Sequence, residues 1–207
     1  MIERIPPFVA GCCLLIYWGA VVDKARRFAR KARHGVNLIP GERTGVWLRV
    51  IWIPLVLAWC AQPWLALIRP PIASWLQTAS GFAFALIGFA GAAACILATA
   101  FTFVCWREMG KSWRLGIDPN ETTALVFSGP YRYVRHPIYA LSSVLVLGTL
   151  AATPTAVMLA IALLHLSLLQ IEARREEKYL LAKHGGSYAD YQKQVGRFVP
   201  RNILWSN

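Results

Sequence analysis

Charge is scarce in this sequence. Only 15% of its 207 residues are Asp, Glu, Lys or Arg, against 57% that are apolar, which excludes the composition of an ordinary soluble domain. Acidic residues are scarcer still, 10 against 22 basic ones. The five cysteines, Cys12, Cys13, Cys60, Cys95 and Cys105, form no CxxC pair and no metal-ligand spacing, so they read as small packing residues with no metal site among them. No strand leads into a GxGxxG turn, which excludes a Rossmann-type dinucleotide domain.

What the sequence has instead is long stretches without charge. Pro6 to Val22, Val50 to Ile68 and the part of the 70–106 gap from Gly81 to Trp106 are each of spanning length. The last stretch, Pro137 to Ile171, is 35 residues long, too long for one span and slightly short for two of about 20. Thr153-Pro154 near its middle marks a turn. The expectation is an all-α polytopic membrane bundle of about five transmembrane helices, the last two forming a shallow or tilted hairpin. Gly88, Gly91 and the run Ala92 to Ala94 give the third helix a small-residue face suited to close helix packing. The first span lacks a positive lead and basic residues follow it, the reverse of a cleaved signal peptide, so it reads as a retained anchor.

The net charge of +12 raises the question of a nucleic-acid partner, and its distribution answers it. With the N-terminus outside, the basic residues between Lys24 and Arg43, between Arg107 and Arg135, and from Arg174 to Arg201 all fall on the inner side. Only Arg4 and Arg69 lie outside, with Arg49 at a membrane boundary. The positive-inside rule accounts for the excess, and no nucleic-acid partner is needed.

Polar chemistry is confined to Arg107–His136 and Glu172–Asn207, both assigned to the inner side. The first contains Ser128-Gly129-Pro130-Tyr131-Arg132-Tyr133-Val134-Arg135-His136-Pro137-Ile138-Tyr139, where the two prolines restrict the backbone and shape the loop. Tyr and Arg also favour the membrane interface as such. The second begins as a continuation of the last span, carries Glu176-Glu177 about a turn into the tail, and breaks at Gly185-Gly186. Tyr188, Tyr191 and Val195 then share one helical spacing before Arg197-Phe198-Val199-Pro200. A carboxylate in this basic tail can hold a ribose hydroxyl pair or an ammonium group; as a solvated helix face it would pair with near neighbours.

Taken in order, GPYRYVRHPIY, a hydrophobic hairpin and EEKYLLAKHGGSYADYQKQVGRFVP resemble the isoprenylcysteine carboxyl methyltransferase and phospholipid methyltransferase superfamily over residues 105–201. Length and the charge-free stretches give one membrane domain over 1–207, with three spans and a basic loop in 1–104; the resemblance implies a methyltransferase-like region, hairpin and helical cytoplasmic tail in 105–201. It implies an S-adenosyl-L-methionine pocket at the cytoplasmic helix ends. Carried over by position, Thr123, Ala124, Leu125, Val126, Tyr131, His136, Pro137, Ile138, Tyr139 and Glu176 would contact that cofactor. In the isoprenylcysteine enzymes an arginine one turn before the acidic pair helps hold the substrate carboxylate. Glu172 takes that place here, leaving Arg174 and Arg197 as the candidate catalytic arginines. Lys183-His184-Gly185 also replaces the usual aromatic-glycine step.

The implied function is methyl transfer to a hydrophobic or membrane-borne acceptor, a prenylcysteine-like carboxylate among the candidates. Such transfer needs alignment and exclusion of water more than acid-base groups. Membrane reductases of related architecture that use a nicotinamide cofactor are the enzymatic alternative; they typically carry Asn after His-Pro, where this chain has Ile138. A non-enzymatic membrane protein is the other alternative, against which the Glu-Glu pair and the Arg-Phe-Val-Pro ending argue. His165 lies mid-span, either functional or a neutral histidine bonded between helices.

Overall fold

The computed structural model describes residues 2–31, 43–68, 82–113, 117 and 125–201. These are helical almost throughout: α1 (Ile5–Lys31), α2 (Arg43–Ile68), α3 (Phe82–Met109), α4 (Pro137–Ala152), α5 (Ala156–His184) and α6 (Gly186–Gln194). Among the described residues the sole β-pairing is an isolated parallel bridge between Val134 and Gly196. Four helices, α1, α2, α3 and α5, are long and apolar enough to cross a membrane. With 16 residues, α4 reaches roughly 24 Å at 1.5 Å per residue, short of a ~30 Å hydrocarbon core. The bundle therefore has four full spans and one short apolar helix, which refines the count of five. Most of the basic first loop, residues 32–42, lies outside the described residues.

Local chemistry sets the boundaries. The turn at Thr153-Pro154 separates α4 from α5, and the Thr155 hydroxyl caps α5 by accepting from the Met158 amide at 3.0 Å, satisfying one of the free donors at a helix start. Thr155 also donates to Gln62 Oε1 at 3.2 Å, tying the hairpin tip to α2. At its other end α5 runs without a break from the apolar hairpin into the polar tail. It stops where Gly185 takes φ 55°, a left-handed conformation that glycine adopts without strain.

Helices α3 and α4 meet backbone to backbone. A Cβ built on Gly91 would lie 2.5 Å from the Gly148 carbonyl oxygen, and one on Gly148 would lie 2.7 Å from the Gly91 oxygen and 2.9 Å from Cys95 Sγ. Lipid supplies no hydrophobic drive between helices, so close approach at small residues has to supply the packing energy. The small-residue face of α3 is used in this way. On the other side α1 packs through Gly11 against the Trp64 ring, and Trp18 meets Trp52 and Trp59 edge to face. The five cysteines are free thiols in these packed layers, Cys13, Cys95 and Cys105 fully inside.

Gly91→Ala forces α3 and α4 apart and is expected to lower stability by about 1–3 kcal/mol. Gly19→Ala, where no atom lies within 4 Å of the added carbon, leaves it unchanged or raises it. Thermal unfolding in one detergent compares the two.

Candidate functional site

The loop before α4 and the tail after α6 are joined by main-chain bonds. Arg135 donates its amide to the Gly196 oxygen at 2.8 Å, and His136 to the Arg197 oxygen at 3.0 Å. Beneath this junction lies the buried carboxylate of Glu177. Arg135 reaches its Oε1 through Nε at 3.0 Å and Nη2 at 2.9 Å. Arg197 reaches Oε1 through Nε at 3.0 Å and Oε2 through Nη2 at 2.6 Å. Forked guanidinium contacts of this kind fix geometry as well as charge. Arg135 also donates to the carbonyls of Gln192 and Val195, which anchors the end of α6.

Glu176, one residue earlier, points elsewhere, because successive residues on a helix are about 100° apart. Tyr139 donates its hydroxyl to Glu176 Oε1 at 2.7 Å. His136 lies between the two carboxylates, Nδ1 3.5 Å from Glu176 and Nε2 3.3 Å from Glu177. Its ring stacks on Tyr139 at 5.4 Å and meets Phe198 edge-on. Burial pushes the imidazole pKa down, but the two carboxylates outweigh it and hold the pKa above the ordinary 6.5. Tyr131 is buried, with its hydroxyl unpartnered among the described residues, and burial pushes its pKa up. A buried polar group of this sort calls for an explanation. Outside it, Tyr191 donates to the Tyr131 carbonyl and stacks edge-on against Phe127 at 4.8 Å, closing the loop over the tail.

Tyr131, Arg135, His136, Tyr139, Glu176 and Tyr191 of this cluster face one cavity of about 740 Å³. Leu125, Val126, Tyr131, His136, Pro137, Ile138, Tyr139 and Glu176 line it together; Thr123 and Ala124 lie outside the described residues. Neither candidate arginine lines it. Arg174 is exposed, whereas its neighbour Arg175 is on the cavity wall, paired with Glu172. Arg197 is held by Glu177 and reaches Gln170 at 3.3 Å. The sequence reading also missed the opposite wall, formed by Tyr17, Arg49, Trp52, Trp106 and Trp113. An apolar helix face looks alike whether it meets lipid or a cavity, so only Arg49, a charge at a span boundary, carried any signal.

Two outcomes follow from this charge cluster. Glu177→Ala leaves Arg135 buried and uncompensated and is expected to cost about 3–5 kcal/mol, while Glu176→Ala, at the cavity wall, costs far less; denaturant unfolding compares them. Because the folded pKa of His136 is raised, its contribution to stability is complete below pH 6.5 and is lost as pH rises through the raised value. His136→Gln removes that slope from a plot of unfolding midpoint against pH.

Residues 90–182 match the profile of the isoprenylcysteine carboxyl methyltransferase (ICMT) family. Among curated proteins, the chain is 31% identical over 113 residues to the nickel-cobalt-cadmium resistance protein NccN of Alcaligenes xylosoxydans xylosoxydans, covering 54% of this chain and 53% of that protein. It is 32% identical over 103 residues to the cobalt-zinc-cadmium resistance protein CzcN of Cupriavidus metallidurans, covering 49% and 48%. The chain thus spans about half the length of the curated relatives it matches. From within α3, through the His136 loop and the α4–α5 hairpin to the Glu176-Glu177 pair, it is to the isoprenylcysteine carboxyl methyltransferase family that this membrane protein is similar.

Proposed function

We propose that this protein is an S-adenosylmethionine-dependent methyltransferase acting on a hydrophobic or membrane-borne acceptor, with its N-terminus outside and its loop, tail and site on the cytoplasmic face. The observation that carries the reading is the continuity of this cavity. It joins the polar, loop-capped end at Tyr131, His136 and Glu176 to an apolar wall whose rim includes the exposed Val22, Ile53 and Leu57. A polar cofactor and a lipid-soluble acceptor can meet in such a space.

The residues fit the cofactor. The cavity's size lies in the range of small-molecule sites, the Tyr131 hydroxyl lacks a partner within the described chain, and Glu176 offers a carboxylate held in place by Tyr139. When bound, the cofactor supplies a methyl group on a sulfonium. Glu176 would take its hydroxyl pair or ammonium group, and the faces of Tyr131 and Tyr139 would lie against the cation, an attraction that grows as water is excluded. The Tyr191–Phe127 contact and the Glu177 clamp hold the loop closed against water. Arg175, with Arg49 across the cavity, takes the place proposed from sequence for Arg174 and Arg197 as the cation facing an anionic acceptor.

Calorimetric titration of detergent-purified protein with S-adenosylhomocysteine tests the assignment. Saturable binding in the micromolar range, weakened at least tenfold by Glu176→Ala in a sample that unfolds at the wild-type temperature, is the expected result. Absent binding in folded protein, or binding of a reduced nicotinamide in its place, overturns it.

A further inference from the structure

Away from the loop, the cavity ends against a chain of polar groups in the middle of the bundle. Trp52 Nε1 donates to His165 Nδ1 at 3.2 Å, and His165 Nε2 lies 2.9 Å from Ser142 Oγ. An indole N–H can only donate, so His165 Nδ1 carries no proton and the imidazole is neutral. Its single proton is then on Nε2 and is donated to Ser142. The arrangement is thus the reverse of a nucleophilic Ser–His pair, in which the histidine takes the serine proton. Here its one lone pair is already engaged.

Ser142 Oγ accepts from His165 and must place its own proton elsewhere. Ser143, the next residue, returns its proton to the Tyr139 carbonyl at 2.9 Å; Ser142 is turned inward instead, toward His165 and the cavity that Tyr17 also lines. Both Ser142 and Tyr17 line the cavity, while His165 behind them is fully buried. The direction of the chain is therefore fixed from its far end as far as Ser142. Trp52 gives to His165 and His165 to Ser142, and the hydroxyls of Ser142 and Tyr17 each have a proton to present to the cavity they line. Ser142 lies four residues, about one helical turn, beyond Ile138 on α4, so this donor sits next to the proposed cofactor wall but deeper in the bundle.

We infer that the Tyr17–Ser142 pair, oriented by His165 and Trp52, is the recognition site for the methyl acceptor's head group, and that it selects an apolar molecule ending in a hydrogen-bond-accepting oxygen or sulfur. A carboxylate or thiolate offers lone pairs to this proton. An ammonium has no lone pair and leaves this proton without an acceptor. Calling the ligand a methyl acceptor rests on the proposed function; the donor polarity of the site rests on Trp52, His165 and Ser142 alone.

The test uses decanoate, decanethiol and decylammonium as probes on the full chain in detergent, with quenching of tryptophan fluorescence reporting occupancy, since Trp18 and Trp52 line the cavity. S-adenosylhomocysteine is titrated separately. Decanoate or decanethiol should bind saturably and at least tenfold more tightly than decylammonium. Ser142→Ala and Tyr17→Phe should each weaken that binding about three- to tenfold, Ser142→Thr should restore most of it, and S-adenosylhomocysteine affinity should stay unchanged. Trp52→Phe should shift the nitrogen NMR signals of His165 as its fixed tautomer is released, which a purely packing role would not do. Equal binding of decylammonium, or unchanged affinity in both hydroxyl variants, overturns the inference. If S-adenosylhomocysteine fails to bind while decanoate binding still depends on Ser142, the cofactor assignment falls and the donor site stands. If S-adenosylhomocysteine binds but the decanoate dependence is absent, this inference alone falls.

Discussion

The Glu177 carboxylate accepts from Arg135 of the loop and Arg197 of the tail, with His136 in contact at 3.3 Å. The shape of the site depends on this meeting. A carboxylate placed in a protein interior is unfavourable unless its lone pairs are engaged, and here two guanidinium forks occupy both oxygens. Each fork in turn holds backbone: Arg135 through the carbonyls that end α6, and Arg197 through the chain beside His136. Loop, last span and tail are thereby fixed to one another at a single point. Sequence separations of 42 and 20 residues are closed there, which is why a tail of modest apolar content can cap the bundle.

With Glu177 fixed, the neighbouring residue has its direction set as well. Glu176 faces the cavity and is held by the Tyr139 hydroxyl, and His136 is pressed between both carboxylates and the Tyr139 ring. One acidic residue of the pair organises the structure; the other lines the cavity. In the proposed function this division lets the cofactor's polar end be bound by a preformed group, so little ordering remains to be done on binding.

The elements were largely legible in the sequence because their signals were local. Charge-free length marked the spans, Thr153-Pro154 the hairpin turn and Gly185 the end of α5, each a matter of chain geometry that no distant contact overrides. The loop residues from Tyr131 to Tyr139 were visible because two prolines and a dense polar run interrupt apolar helices. Roles within pairs were not visible. Nothing local distinguishes Glu176 from Glu177, or Arg174 from Arg175, since the face each presents depends on how α5 is rotated in the bundle. The wall formed by Tyr17, Trp52 and Trp106 was hidden for a related reason: α1 and α2 present apolar rings to lipid, to one another and to the cavity alike.

The placement of charge in the molecule follows from the solvent around it. An ionised side chain at the centre of a bilayer costs about 2.5–3.5 kcal/mol even on the lenient insertion scales, whereas polar interactions between membrane helices are worth about 0.6 kcal/mol each on average. The ionised cluster of Glu177, Arg135 and Arg197 accordingly sits at the loop and tail end of the bundle. The mid-span chain of Trp52, His165 and Ser142 is built from neutral groups that satisfy one another in series, and Tyr17 lines the same cavity. A site at that depth could not hold a fixed charge cheaply, but it can hold a fixed direction of donation. Because the indole at its far end cannot accept, that direction is fixed as far as Ser142, and a ligand able to accept the hydroxyl proton is favoured without placing a charge in the membrane.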